Sequence, residues 1–109
     1  MRMKIIDCIK RDNLLVEYLL SHKGRANVVS AKEISKFLTT EGFPIKKQSV
    51  HSAISNLIAE RRLPICSLNS KGYYWARTKE DIMECIAHLQ ARIDSLEEHI
   101  KHLYNFIME

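Results

Sequence analysis

The chain has 109 residues, of which 46% are hydrophobic, enough for one modest core and not for two. No run approaches the roughly 20 uninterrupted apolar residues of a membrane span, and the first residues lack the apolar stretch of a signal peptide, so a cytoplasmic protein is expected. Its three cysteines lie far apart and form no Cys-x-x-Cys pair, which argues against a disulfide framework and a structural zinc site.

The net charge of +4 is unevenly distributed along the chain. Residues 1–77 hold 14 Lys and Arg against 6 Asp and Glu, a balance of +8, whereas residues 78–109 hold 3 against 7, a balance of −4. A domain with such an excess of positive charge favours association with nucleic acid, because neutralising phosphates releases counterions. The sequence therefore predicts a basic surface on the first part alone.

Two helices are predicted first. Residues 12–22 carry apolar side chains at helical spacing and are followed by Lys23-Gly24 as a stop, while residues 3–11 either extend this helix or form a separate one. Ser30-Ala31-Lys32-Glu33 is a capping box, in which Ser30 accepts from the third backbone amide and Glu33 reaches back to the Ser30 amide. The second helix begins there and ends near Gly42, which suits a left-handed cap. Its apolar side carries Ala31, Ile34 and Leu38.

A third helix is predicted from about Lys46 to Arg62, and Pro64 prevents it from continuing. Its apolar stripe consists of Val50, Ala53, Ile54, Leu57 and Ile58. The opposite face is polar and nearly free of acidic residues until Glu60. It carries Lys47, Gln48, His51, Ser52, Ser55 and Asn56.

The residues after the third helix have the composition of a two-stranded hairpin. Ile65–Leu68 and Tyr73–Ala76 are separated by the turn-forming sequence Asn69-Ser70-Lys71-Gly72. The aromatic side chains of the second strand are expected to be structural, because alternating strand residues send one or two rings into the core. Val28 and Val29, earlier in the chain, are candidates for a very short strand.

The predicted elements follow the order of a winged helix-turn-helix, which is a helix, a short strand, two helices and a hairpin. Residues 14–76 resemble the winged-helix domains of small phage and prophage proteins and of biotin-repressor-type regulators. The segments that carry the resemblance are Lys23-Gly24-Arg25, Val29-Ser30-Ala31-Lys32-Glu33, Leu63-Pro64-Ile65 and Lys71-Gly72-Tyr73-Tyr74. The chain departs from the family at Arg61-Arg62, where the family commonly ends the third helix with Gly.

The resemblance implies that the third helix enters the major groove of DNA and that the hairpin tip reaches the backbone or the minor groove. The residues implied to contact DNA are Lys46, Lys47, Gln48, Ser49, His51, Ser52, Ser55, Asn56, Arg61, Arg62 and Lys71, with Asn69 and Ser70 as further backbone candidates. Gln48 and Asn56 carry the side-chain amide that binds adenine bidentately, and the lysine pair suits phosphate or guanine.

An apolar residue recurs at alternating intervals of four and three residues through the acidic part. The series is Ile82, Ile86, Leu89, Ile93, Leu96, Ile100, Leu103 and Ile107. With isoleucine at the a positions from Ile86 onward and leucine at d, the pattern favours a parallel two-stranded coiled coil. Arg92 at g and Glu97 at the following e then have the spacing of an interchain ion pair. Tyr104 and Phe106 widen the stripe, so that an antiparallel or higher-order arrangement stays open.

The predicted fold is mainly α with a small β wing, formed by a winged helix-turn-helix domain at 1–77 and a coiled-coil dimerisation helix at 78–109. The expected function is a dimeric, sequence-specific protein that binds double-stranded DNA without a cofactor. It would serve a phage or mobile element as a transcriptional regulator or as a replication or recombination accessory factor. The alternative is an adaptor or inhibitor that grips a host or phage protein.

Neither an enzyme nor a metal site is expected. The chain has no Gly-rich phosphate loop and no nucleophile motif. The candidate ligands Cys85, His88, His99 and His102 do not close a site, since two of the histidines fall at outward positions of the heptad.

Overall fold

The computed structural model describes residues 4–68 and 71–108. Its elements in chain order are α1 (Ile5–Leu20), a 3-10 turn (Arg25–Asn27), α2 (Ala31–Thr40), α3 (Lys47–Arg61), β1 (Ile65–Ser67), β2 (Tyr73–Trp75) and α4 (Lys79–Met108). The chain is therefore mainly helical, with a small antiparallel sheet and a long C-terminal helix, as predicted. None of the described helices combines the length and the hydrophobicity that crossing a lipid bilayer requires.

The first helix is continuous from Ile5, so the segment before Asp12 extends it and does not form a separate helix. Leu15 and Leu19, one turn apart, have no exposed surface. The helix ends at Leu20, earlier than predicted, because the Ser21 hydroxyl turns back and donates a hydrogen bond of 2.6 Å to the backbone oxygen of Tyr18.

Both predicted caps of α2 are confirmed, with one difference. The Ser30 hydroxyl accepts from the Glu33 amide at 3.1 Å, but the Glu33 carboxylate binds the Ser30 hydroxyl, at 3.2 Å, where the Ser30 amide was expected. At the other end Gly42 has φ of 94°, and the amide of Phe43 donates to the oxygen of Leu38 at 2.8 Å. This is a Schellman cap, which satisfies carbonyl groups that the helix leaves open.

The third helix buries a narrower stripe than predicted. Val50, Ile54 and Leu57 are at most 1% exposed. Ile58, which the pattern assigned to the same stripe, is 36% exposed, because it lies about 100° around the helix from Leu57 and reaches the edge of the buried face. The helix ends at Arg62, which adopts a left-handed conformation with φ of 52° and ψ of 48°.

The predicted hairpin is present, and its second strand also contacts an earlier part of the chain. β1 and β2 are antiparallel, with Cys66 opposite Tyr74. Val29 and Tyr73 exchange two backbone hydrogen bonds of 2.8 Å. Val29 thus forms an isolated antiparallel bridge to β2 at the place where the sequence suggested a very short strand of Val28 and Val29. Gly72 has φ of 133°, and a Cβ there would lie 2.1 Å from the Val29 oxygen, so the close contact requires glycine.

The core lies between α1, α2, α3 and the hairpin. Its buried side chains come from all of these elements, and Tyr73 and Trp75 of β2 are partly buried against it. Tyr74, between them, is 2% exposed and lies on the opposite face of the strand, beside Cys66. The structural role predicted for the three aromatic residues is therefore confirmed.

The fourth helix is joined to this core by a short, hydrogen-bonded connection. The Thr78 hydroxyl accepts from the Asp81 amide at 3.2 Å, and the Asp81 carboxylate accepts from the Arg77 amide at 2.9 Å. One turn later Glu84 forms an ion pair of 2.7 Å with Arg25 of the 3-10 turn. No described residue of α4 is buried, so the helix projects from the domain that holds its first turns.

Candidate nucleic-acid interface

The polar face of α3 is exposed along its whole length. The side chains predicted to read DNA from this helix and its N-cap are all exposed: Lys46, Lys47, Gln48, Ser49, His51, Ser52, Ser55 and Asn56. The opposite side of the same helix is fixed in the core by Val50, Ile54 and Leu57. The helix is thus held by one face and presents the other to solvent.

This face is electrostatically suited to an anion. Residues 46–59 include two lysines and no Asp or Glu, and the first acidic residue of the helix is Glu60. Within the described ranges neither Lys46 nor Lys47 takes part in a salt bridge, so neither charge is neutralised. Both lie at the N-terminus of α3, where the free backbone amides and the helix dipole add further positive potential.

A side-chain contact connects the polar face of α3 to the hairpin. His51 Nδ1 is hydrogen-bonded to the hydroxyl of Tyr73, and the two rings lie 5.6 Å apart with an interplanar angle of 52°. Burial raises the pKa of the Tyr73 hydroxyl, which therefore stays protonated at neutral pH and can donate to the imidazole. His51 is thereby oriented, and its position relative to β2 is fixed.

Lys71 is exposed on the hairpin two residues before Tyr73. Its backbone amide donates to the oxygen of Leu68 at 2.9 Å, which closes the turn at the described end of β1. Asn69 and Ser70, predicted to form the hairpin tip, lie outside the described residues. Lys71 is therefore the one predicted hairpin contact that the structure places.

Two of the predicted DNA contacts lie apart from the others. Arg61 and Arg62 are at the C-terminal end of α3, which at 15 residues is about 22 Å long. The Arg61 guanidinium donates to the side-chain oxygen of Asn13 on α1, at 3.0 Å. The structure thus groups the residues from Lys46 to Asn56 and leaves the two arginines at the far end, where Arg61 has a partner within the chain.

The apolar stripe of α4 is not covered by the rest of the chain. Its eight residues have between 41% and 74% of their surface exposed: Ile82, Ile86, Leu89, Ile93, Leu96, Ile100, Leu103 and Ile107. The stripe therefore does not pack onto the domain of its own chain. Tyr104 and Phe106, which widen the stripe, are 62% and 75% exposed.

The structure also contains a feature that the sequence did not reveal, a junction between the hairpin and α4. Cys66 of β1 is 3% exposed and contacts Cys85 of α4, and burial raises the pKa of the Cys66 thiol to about 12, with a further increase from its hydrogen bond to Cys85. Burial likewise raises the pKa of Tyr74, beside Cys66, to about 12. All three cysteines are free, as expected of reduced residues.

A cavity of about 490 Å³ opens beside this junction. Its walls are formed by Ser67 of β1 and by Cys85, His88, Leu89, Ala91, Arg92 and Ser95 of α4. Only long-range folding brings Ser67 to these helix residues, so no spacing in the sequence could have indicated the cavity.

The described residues include no group of three or more His, Cys, Asp or Glu side chains arranged to hold a metal ion. Comparisons with protein families, with characterised proteins and with solved structures found no match for this chain. What the protein binds must therefore be inferred from its own surfaces.

Proposed function

We propose that the chain is a winged-helix protein that binds double-stranded DNA as a homodimer, with α3 in the major groove and the hairpin as the wing. The observation that carries the proposal is the polar face of α3, which is exposed, bears two unpaired lysines and has no carboxylate before Glu60. A helix anchored by its apolar side and positive at its entry end is what insertion between two phosphate backbones requires.

The arrangement around α3 supports the winged-helix interpretation. Three helices precede a hairpin whose second strand pairs both with β1 and with Val29, the segment between α1 and α2. The contact between His51 and Tyr73 would hold the wing at a set position beside the reading helix.

Polar groups follow one line along α3. Gln48, Ser52 and Ser55 lie at intervals of four and three residues and so share a line along the helix, over about 10 Å. In this arrangement Gln48 and Asn56 read base edges, while Lys46, Lys47 and Lys71 contact phosphates.

The exposed stripe of α4 supports the dimeric part of the proposal. A helix of 30 residues is about 45 Å long, and its apolar positions need a partner that the chain itself does not supply. A second copy offers the same stripe, and the a and d residues favour a parallel pair. Two-fold symmetry would then present two α3 helices to paired half-sites, as in dimeric transcriptional regulators and in replication or recombination accessory factors of phages and mobile elements.

The proposal is tested by selecting bound duplexes from random or genomic DNA at two salt concentrations. We expect an enriched motif made of two half-sites and an affinity that falls as salt rises. Lys47→Ala should weaken binding to all sequences and lower the salt slope by about two, one for each subunit of the dimer, whereas Gln48→Ala should relax specificity at one position of each half-site.

The matched control is Lys101→Ala, which removes the same charge from an exposed position of α4. It should leave DNA binding and the oligomeric state unchanged. The absence of salt-dependent binding to any duplex would overturn the proposal. If the purified chain instead bound one protein partner stoichiometrically without nucleic acid, the adaptor function would replace it.

A further inference from the structure

The domain formed by α1 to β2 contacts the first turns of α4 on one side of the helix. Asp81 and Cys85 are the partly buried residues near its start, and they face Cys66, whose thiol contacts the Cys85 thiol and lies 4.0 Å from the backbone oxygen of Asp81. In the heptad in which Ile86 is at position a, Asp81 is at c and Cys85 is at g. The domain therefore packs against the side of α4 that carries positions c and g.

The exposed stripe lies next to that side. A residue at position g is between the c side and the d side of a helix, because successive residues are about 100° apart. The cavity beside β1 lies mainly on the c and g side of α4. Of its α4 residues, Cys85 and Arg92 are at g, His88 and Ser95 at c and Ala91 at f, while Leu89 is a d residue of the stripe that is 46% exposed. The cavity thus meets the stripe at Leu89, and a helix packed on the stripe would run along that edge of the cavity.

Arg92 is the charged group in the wall of this cavity. It is exposed, and within the described ranges its guanidinium has neither an ion pair nor a hydrogen bond. In a parallel coiled coil a g residue of one helix faces the following e residue of the other. For Arg92 that residue is Glu97, a carboxylate of opposite charge.

We propose that a second copy of this chain covers the cavity, with its Glu97 paired to Arg92 and its α4 running beside Ser67 of β1. The inference rests on the dimer of the proposed function and adds that the interface extends from the helix stripe to the hairpin. Symmetry forms the contact twice, so each hairpin is held between its own α4 and the α4 of the second copy. Dimerisation then fixes the orientation of the two α3 helices relative to each other, which a flexible connection between the domains would not do.

The ion pair is tested by mixing full-length variants of opposite charge. Arg92→Glu and Glu97→Arg each place like charges opposite one another in their own homodimers, while the mixture restores both pairs. We expect the ratio of heterodimers to homodimers in an equimolar mixture to exceed its statistical value by about fivefold, measured by native mass spectrometry. Glu98→Arg is the matched control, because it makes the same charge change at the outward f position and should not enrich heterodimers with Arg92→Glu.

Two results of this mixing experiment have clear meanings. If Glu97→Arg and Glu98→Arg enrich heterodimers equally, the proposed contact is wrong, even where sedimentation shows that the original chain is a dimer. If the original chain is a monomer at every concentration, the dimer of the proposed function fails as well, and the inference falls with it.

Covering of the cavity is tested separately by the reactivity of Cys85. In a Cys8→Ser background, Cys85 is the thiol that an aromatic disulfide reagent can reach, since Cys66 is buried and its raised pKa of about 12 keeps it protonated. We expect the reaction of Cys85 to slow by about tenfold as the protein concentration passes through the dimer dissociation constant. An unchanged rate across a dimerisation measured by sedimentation would overturn the proposal.

Discussion

The part of the chain before residue 78 and the helix after it differ in how far their apolar side chains are buried. Between Leu14 and Trp75 most of the large hydrophobic side chains converge on one core, and residues such as Leu15, Ile34 and Leu57 are at most 1% exposed. The main exceptions lie at the start of α1, where Ile5, Ile6 and Ile9 are between 50% and 81% exposed. Along α4 no described residue is buried, although an apolar residue recurs at every third or fourth position. The first region completes its core within one chain, and the second requires another surface to do so.

The two regions also differ in charge, at +8 and −4. In the proposed complex this division would favour DNA at α3 and disfavour it at α4, because an acidic helix repels phosphates. The difference suggests a separation of tasks, in which one region binds and the other assembles. Substitutions that affect only one region can break or sharpen this comparison.

The largest effect is expected from charges placed in the stripe of α4. Ile93→Asp combined with Leu96→Asp would bury four carboxylates in a dimer interface, which should weaken dimerisation by about 4 kcal/mol, close to a thousandfold. Because both residues are about half exposed in the single chain, the domain should keep its fold. Sedimentation equilibrium measures the first effect and circular dichroism the second.

The matched control for this variant is Ala87→Asp, at an exposed position outside the stripe, which should leave the dimer intact. If the doubly charged variant unfolded the domain as well, the two regions would be one cooperative unit. The separation of tasks would then be wrong.

A pair of identical substitutions compares the two regions directly. Leu57→Ala removes a side chain that is 1% exposed and should lower the free energy of unfolding of the domain by about 3 kcal/mol, through lost burial and the cavity left behind. Leu103→Ala removes one that is 54% exposed and should leave that free energy unchanged while weakening the dimer. Urea titration below the dimer dissociation constant checks both values, and equal losses would contradict the comparison.

The smallest effect concerns the end of α3. Arg62 is the one non-glycine residue with positive φ in the described part of the chain, a conformation that costs an ordinary residue about 1 kcal/mol. Arg62→Gly should therefore raise the free energy of unfolding, because glycine adopts this conformation without strain. The net gain should be about 0.5 kcal/mol, since the relief of strain is partly offset by the larger conformational entropy that glycine loses on folding. Arg62→Ala, which removes the charge and keeps the strain, should give no gain in thermal unfolding.

The elements that local patterns define were predictable from the sequence. Four of them depend on residues only a few positions apart in the sequence. They are the capping box at Ser30, the glycine cap at Gly42, the hairpin after Pro64 and the uninterrupted heptads of α4. The interactions that these patterns predict also form in the folded chain, because each lies within one element or one turn. Their confirmation includes the exposure of every predicted position on the polar face of α3.

The contacts that orient these elements could not be predicted in this way. Four side-chain contacts join residues that are between 19 and 59 positions apart in the chain. The pairs are His51 with Tyr73, Arg25 with Glu84, Cys66 with Cys85, and Arg61 with Asn13. Their pairing depends on how the helices and the hairpin pack, not on a spacing along the sequence. Ile58 was misplaced for a related reason, since the width of a buried stripe is set by the neighbouring elements.

The place of Trp75 has an optical consequence. It is the only tryptophan in the sequence, and its backbone is bonded to both His22 and Gly24, at 2.9 Å each, where the hairpin meets the end of the first helix. Its indole is partly buried against the core, so its emission should lie to the blue of that of free tryptophan. A shift to the red would therefore report the hairpin leaving the domain, from a single chromophore and without any label.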